Sequence, residues 1–145
     1  MSIHQISVFL GNRPGELNKM TRVLAEGGVD MRAISLAETT DFGIARIIVD
    51  DEAKATEVLK RADFVASITQ VLAYEIPDEK GGLNKLLTLF TEAEINIEYM
   101  YSCLVGKNER KAYMIFRVSD TDAAEAALAD KGMRTLVQND GAFSD

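Results

Sequence analysis

Asn12-Arg13-Pro14-Gly15-Glu16-Leu17-Asn18-Lys19 returns later in the chain as Asp78-Glu79-Lys80-Gly81-Gly82-Leu83-Asn84-Lys85. The spacing holds at 66 positions, from Gly15 to Gly81 and again from Leu17 to Leu83. Each copy joins an alternating apolar segment to one of helical period. Ile6, Val8 and Leu10 precede the first copy, and Leu72, Tyr74 and Ile76 precede the second, which predicts a strand before each loop. Leu17, Met20 and Leu24 follow the first, with Gly27-Gly28 as a stop signal, and Leu83, Leu86, Leu87 and Phe90 follow the second. Both stripes predict a helix after each loop. A glycine loop that opens a helix turns backbone N–H groups outward, where they suit an anion. Two such loops predict two related sites for a small anionic or zwitterionic ligand.

The flanking elements repeat as well. Residues 29–39 and 42–49 read as a hairpin about Thr40-Asp41. Asp50-Asp51-Glu52 opens a helix with the stripe Ala55, Val58, Leu59 and Ala62, and residues 65–76 form an unusually long strand. In the second half, residues 95–105 and 111–118 are the hairpin strands, joined by the longer turn 106–110. Val49-Asp50-Asp51 answers to Val118-Ser119-Asp120 at a spacing of 69, so the turn absorbs three extra residues. Residues 123–130 form the last helix, Gly132 stops it, residues 133–137 are a last strand, and the polar residues 138–145 fray.

Each half therefore reads strand, helix, strand, strand, helix, strand. This is the split βαβ order of an α+β fold: two ferredoxin-like βαββαβ units, each an antiparallel four-stranded sheet with two helices on one face. The expected units are 1–70 and 71–138, with a tail at 139–145. No Gly-, Pro- or Ser-rich spacer separates them, which predicts rigid coupling. The hairpin strands carry apolar residues at both parities, such as Ile47 beside Ile48 and Val49, and Ile34 and Leu36 beside Met31 and Ala33. A sheet with one wet face alternates more cleanly, so the face away from the helices is expected to be covered by the other unit or by a second chain.

The chain has 145 residues with 23 acidic and 16 basic side chains, a net charge of −7. That charge argues against nucleic acid and anionic membrane as partners. Units of this size bury limited apolar surface alone and tend to pack on one another or on a second chain. A single cysteine, Cys103, permits no internal disulfide and suits a reducing cytoplasm. No signal peptide or membrane-length apolar run is visible.

The element order, the Asn-x-Pro-Gly-x-Leu loop at Asn12 and the Gly28-Val29-Asp30-Met31 start of the next strand together resemble an ACT domain. Gly81-Gly82-Leu83 and Ile95-Asn96-Ile97 are similar to the same pattern, so about residues 3 to 137 resemble the small bacterial proteins made of two ACT domains. The resemblance implies a non-catalytic regulatory module that binds amino acids or similar small metabolites at interfaces between paired domains. It implies a homodimer, a regulated enzyme as partner, and no cofactor. It places the ligand between the first loop with its helix start and the second strand of a neighbouring domain. Carried over, that implicates Asn12, Pro14, Gly15, Glu16 and Leu17 with Asp30, and Asp78, Gly81, Gly82 and Leu83 with Asn96. Serine-sensing members carry a His two positions before the loop Asn. Leu10 and Ile76 stand there, against serine specificity, and Lys80 replaces the loop proline, which loosens the second loop.

The residue chemistry agrees with a zwitterion. The N–H groups of Gly15, Glu16 and Leu17, or of Gly81, Gly82 and Leu83, can receive a carboxylate. The side chains of Asn12 and Asp30, or Asp78 and Asn96, can accept from an ammonium. Gly15, Gly81 and Gly82 leave room for a ligand to approach the backbone. The competing account makes the glycines plain turn residues and Asn12 and Asp78 plain helix caps. Two further alternatives stand beside the ligand reading: a constitutive interaction subunit without a ligand, and a small enzyme. Tyr99, Met100 and Tyr101 read as core or interface, and Asp50-Asp51-Glu52 as an acidic helix start in preference to a metal site. Cys103 reads as a buried strand residue and His4 as a surface one. No metal-spaced His or Cys pair, Gly-x-Gly-x-x-Gly or Walker loop is present.

Overall fold

The computed structural model describes residues 3–38, 41–103 and 111–136. The elements run β1 (Ile3–Gly11), α1 (Glu16–Glu26), β2 (Met31–Glu38), β3 (Phe42–Val49), α2 (Glu52–Arg61), β4 (Val65–Pro77), α3 (Gly82–Glu92), β5 (Ile97–Ser102), β6 (Lys111–Val118) and α4 (Thr121–Asp130). Contacts gather into two compact units, one of residues 4–69 and one from Gln70 onward with the first three residues. The strand order is β2-β3-β1-β4 in the first unit and β4-β6-β5 in the second. The unit boundary falls inside β4, a single strand of 13 residues.

The two units repeat down to single hydrogen bonds. Lys19 N–H donates to the Gly15 carbonyl at 2.9 Å and Lys85 to Gly81 at 3.0 Å. Val29 N–H donates to Leu24 and Ile95 to Phe90, both at 2.9 Å. Each hairpin carries a register irregularity at the same place, between Met31 and Ala33 and between Ile97 and Tyr99. The long helices exit through a left-handed residue, Gly28 at φ 73° and Glu94 at φ 56°. That exit is why β2 and β5 start two residues later than the apolar pattern suggests: Val29 and Ile95 are still bonded back to the helix.

The shorter helices start alike. Asp51 caps α2 by accepting from Lys54 N–H, and Asp120 caps α4 by accepting from Ala123 N–H, each at 3.0 Å. The second cap puts the start of α4 at Thr121, two residues before the sequence expectation. The acidic run 50–52 is spent on structure. Asp50 Oδ1 accepts from Asp30 N–H at 2.9 Å, and Glu52 pairs with His4 Nδ1 at 2.7 Å. No group of His, Cys, Asp and Glu suited to a metal ion occurs among the described residues.

Both helices of each unit pack on one face of its sheet. Met20, Leu24, Ala55 and Leu59 meet Ile6, Val8, Leu10, Ala45, Ile47 and Val49 in the first core. Leu86, Phe90, Ala124 and Leu128 meet Leu72, Tyr74, Ile76, Phe116 and Val118 in the second. On the opposite face Ile3, Ala33 and Ile48 are fully buried, as are Val71, Ala73 and Ile115. At the loop end of the first unit Phe9 and Phe42 stay 42% and 39% exposed, their rings 6.1 Å apart.

The expected last strand is reduced to a short stretch beside β4. Leu136 N–H donates to the Ala73 carbonyl at 2.7 Å. The Thr135 hydroxyl donates to that same carbonyl and accepts from Ala73 N–H, so a side chain takes the positions a paired backbone would use. Thr40, the turn 106–110, Leu104, Val105, Val137 and the tail 138–145 lie outside the described residues. No helix among the described residues is long and apolar enough to cross a membrane.

Among the described residues Tyr74, Phe90 and Phe116 form an aromatic cluster, with Phe90 and Phe116 centroids 4.8 Å apart. Of the Tyr99–Tyr101 patch, only Tyr101 is buried. Tyr74 is fully buried and its hydroxyl has no hydrogen-bond partner among the described residues. Burial pushes its pKa up to about 12. An unpaired buried hydroxyl costs about 1–3 kcal/mol in desolvation, so Tyr74→Phe is expected to melt at or above the parent temperature. The folded pKa lies above the unfolded value near 10. Stability is therefore full below pH 10 and falls between pH 10 and 12, by roughly 2–3 kcal/mol. Urea titrations of both proteins across that range check it: the alkaline loss should be smaller in the phenylalanine variant.

Candidate functional site

Gly15 and Gly81 are the N-cap residues of α1 and α3, with φ of 88° and 82° and no side-chain cap. Neither Asn12 nor Asp78 therefore caps its helix. The left-handed conformation calls for glycine, and a Cβ at either position would meet nothing within 4 Å. Both glycines thus face open space at a helix start. Gly82 is glycine for another reason: a Cβ there would sit 2.4 Å from the Pro77 carbonyl oxygen. Its lack of a side chain serves the close fold of the loop on itself.

The loops also use some of the donors expected for a ligand. Glu16 N–H points to the Arg13 carbonyl at 3.3 Å, and Gly82 N–H to the Glu79 carbonyl at 3.1 Å. The helix geometry leaves the N–H groups on either side of them without intrahelical acceptors.

Under the first loop lies a cavity of about 100 Å3. It gathers Asn12, Glu16 and Leu17 from the expected set and adds Leu10, Gly11, Arg13, Leu36 and Gly43. Arg13 Nη2 holds Glu16 Oε1 at 3.0 Å on its rim. Leu36 and Gly43 come from the hairpin, with Gly43 opposite Leu10 in the β1–β3 register. Arg13 was open to sequence reasoning as a charged residue inside the loop motif. Leu36 and Gly43 were not, because only strand register brings them there.

Asp30 and Asn96 are not in this cavity. Asp30 follows the far end of α1, an 11-residue helix about 16 Å long. It lines a separate hollow of about 410 Å3 with Asn18, Thr21 and Arg22, and its carboxylate is held by Arg32 at 2.6 Å. Asn96 lines one of about 290 Å3 with Glu94, Ser119, Asp120 and the small residues Ala123 and Ala127. Neither residue is brought to the loop of its own unit. In the second unit Pro77, Asp78, Glu79, Lys80 and Gly81 are exposed, with Lys85 Nζ 3.4 Å from Glu79.

Cys103 is half-buried, and its backbone N–H bonds to the Tyr113 carbonyl. His4 is tied to Glu52.

A family model described as an ACT domain pair matches residues 1–142. No curated protein matches the chain. The crystal structure of a protein from Bacteroides thetaiotaomicron is similar at TM-score 0.90 and 35% identity, over 100% of this chain and 98% of the other. The ligand-free regulatory subunit of aspartate kinase from Thermus thermophilus is similar at TM-score 0.60 and 19% identity, over 88% and 90%. Aspartate kinase from Synechocystis is similar at TM-score 0.54 and 24% identity, over 91% of this chain and 26% of the enzyme. At those identities the two kinase structures attest the fold alone.

Proposed function

The chain belongs to the ACT-domain-pair family, and from that premise we propose that it is a non-catalytic regulatory protein of the cytoplasm that binds an amino acid or a similar small metabolite. The observation that carries this reading is the cavity beneath the first loop, where Asn12, Arg13 and Glu16 converge over leucines. Few polar groups over an apolar floor suit a small ligand held by its charged end. A fold shared with the regulatory subunit of aspartate kinase supports the same reading. The protein acts as a homodimer on a partner enzyme. In that dimer Asp30 and Asn96 meet loops other than their own, which completes the sites. Ligand shifts the partner contact only insofar as it binds one packing of the domains more tightly.

A thermal-shift screen of the common amino acids tests this. Ligand at 100 times its dissociation constant adds about 2.7 kcal/mol, which for a chain of this size raises the melting temperature by roughly 5–10 °C. A screen in which no amino acid raises it defeats the proposal. One observation favours a second reading, a constitutive interaction subunit. The exposed Phe9 and Phe42 rings form an apolar spot that would suit a protein partner without any ligand. That reading predicts a complex whose stability ignores every amino acid in the screen.

A further inference from the structure

We propose that the first loop is the sole amino-acid site of the chain, and that it takes an apolar α-amino acid, with Arg13 holding the carboxylate and Glu16 the ammonium. This rests on the reading just given and narrows its two sites to one. The loop backbones are alike: Arg13 N–H turns back to Gly11 and Glu79 N–H to Pro77, each at 2.9 Å. The difference between the loops lies in their side chains.

In the first loop a cation and an anion stand side by side at the cavity rim, 3.0 Å apart, with side chains 75% and 25% exposed. An ion pair this open contributes little by itself, so parting it is easy. A zwitterion replaces that one contact with two charge-assisted ones, and the guanidinium can take a carboxylate through both arms. Below the pair, Leu10, Leu17 and Leu36 line the cavity, and Gly43 leaves space where a side chain would intrude. That floor suits an apolar side chain.

At the matching places the second loop has Glu79 for Arg13 and Gly82 for Glu16. Ser102 stands for Leu36 and Ala112 for Gly43. The guanidinium, the acid and one leucine of the wall, Leu36, are gone together. Glu79 would repel a ligand carboxylate, and Lys85 is already drawn to it. The substitutions remove the zwitterion's matched charged partners from the second unit, although Ile76 and Leu83 keep the places of Leu10 and Leu17.

Calorimetry on the intact protein tests this with leucine, valine, methionine and phenylalanine. The probes 4-methylpentanoate and 3-methylbutylamine each lack one charge of leucine. The expected result is one ligand per chain, with both probes at least about tenfold weaker than leucine, the loss of one charge-assisted contact. Arg13→Gln and Glu16→Gln should each weaken leucine about tenfold or more at an unchanged melting temperature, while Glu79→Gln leaves it unaffected. Two ligands per chain overturn the single-site assignment, and leucine bound as tightly by Arg13→Gln as by the parent overturns the place given to its carboxylate; either leaves the amino-acid reading standing. Titrations in which no amino acid of any kind binds overturn both.

Discussion

Phe90→Ala should cost the protein about 3–5 kcal/mol of unfolding free energy. Phe90 is 1% exposed and sits on the core stripe of α3. Its ring lies 4.8 Å from that of Phe116 and stands edge-on to Tyr74 at 6.1 Å. Aromatic pairs of this kind add about 0.5–1.5 kcal/mol beyond the area they bury. Truncation removes two such contacts and opens a void between helix and sheet that two rigid rings cannot easily close. Against a typical total of about 5–15 kcal/mol, a loss of that size leaves a protein folded only under mild conditions. Urea titration reads it directly, provided the slope is unchanged. A loss below about 1 kcal/mol would mean that the three rings do not form the second core.

Gly82→Ala should come next, at about 2–3 kcal/mol. The new Cβ would lie 2.4 Å from the Pro77 carbonyl oxygen. The clash is with backbone, so no rotamer relieves it, and the loop must open and loosen the Gly82 to Glu79 hydrogen bond. Gly15→Ala and Gly81→Ala meet no atom at all. They strain only a left-handed residue, at roughly 1–2 kcal/mol each. The ordering is the test: in urea titrations of all three variants, Gly82→Ala must be the least stable. A Gly82→Ala protein as stable as the parent would show that Pro77 does not lie over the start of α3.

Much of the fold could be read directly from residue order, because its signals are local. The αL glycines at 15 and 81, the capping aspartates at 51 and 120, and the stripes on α1 and α3 each act within one turn of chain. The capping role of Asp120 was legible too, in its match with Asp51, yet the apolar stripe drew the start of α4 two residues late. The hairpin irregularities and the left-handed Glu94 were hidden, since neither has a residue type that demands it. The loop of the candidate site was legible as a motif. Its floor was not. Gly43 reaches Leu10 through strand pairing over 33 positions, Leu36 joins them through its own pairing with β3, and pairing register depends on the whole sheet. Arg13 was visible but silent, because its charge gains meaning only beside Glu16 over a hollow.

The two cores also differ in where they keep their bulk. Val8, Leu24 and Ile47 of the first unit answer to Tyr74, Phe90 and Phe116 of the second, while Lys54 and Val58 of α2 answer to Ala123 and Ala127 of α4. Gly27 already has Val58 within 2.8 Å of where a Cβ would stand, whereas the second unit keeps a hollow beside Ala127. The halves have thus ceased to be spare parts for each other. A segment copied by gene conversion from one half to the other would carry side chains shaped for the wrong neighbours. Such an exchange would be tolerated only when several positions moved together, which helps hold the two repeats on separate evolutionary courses.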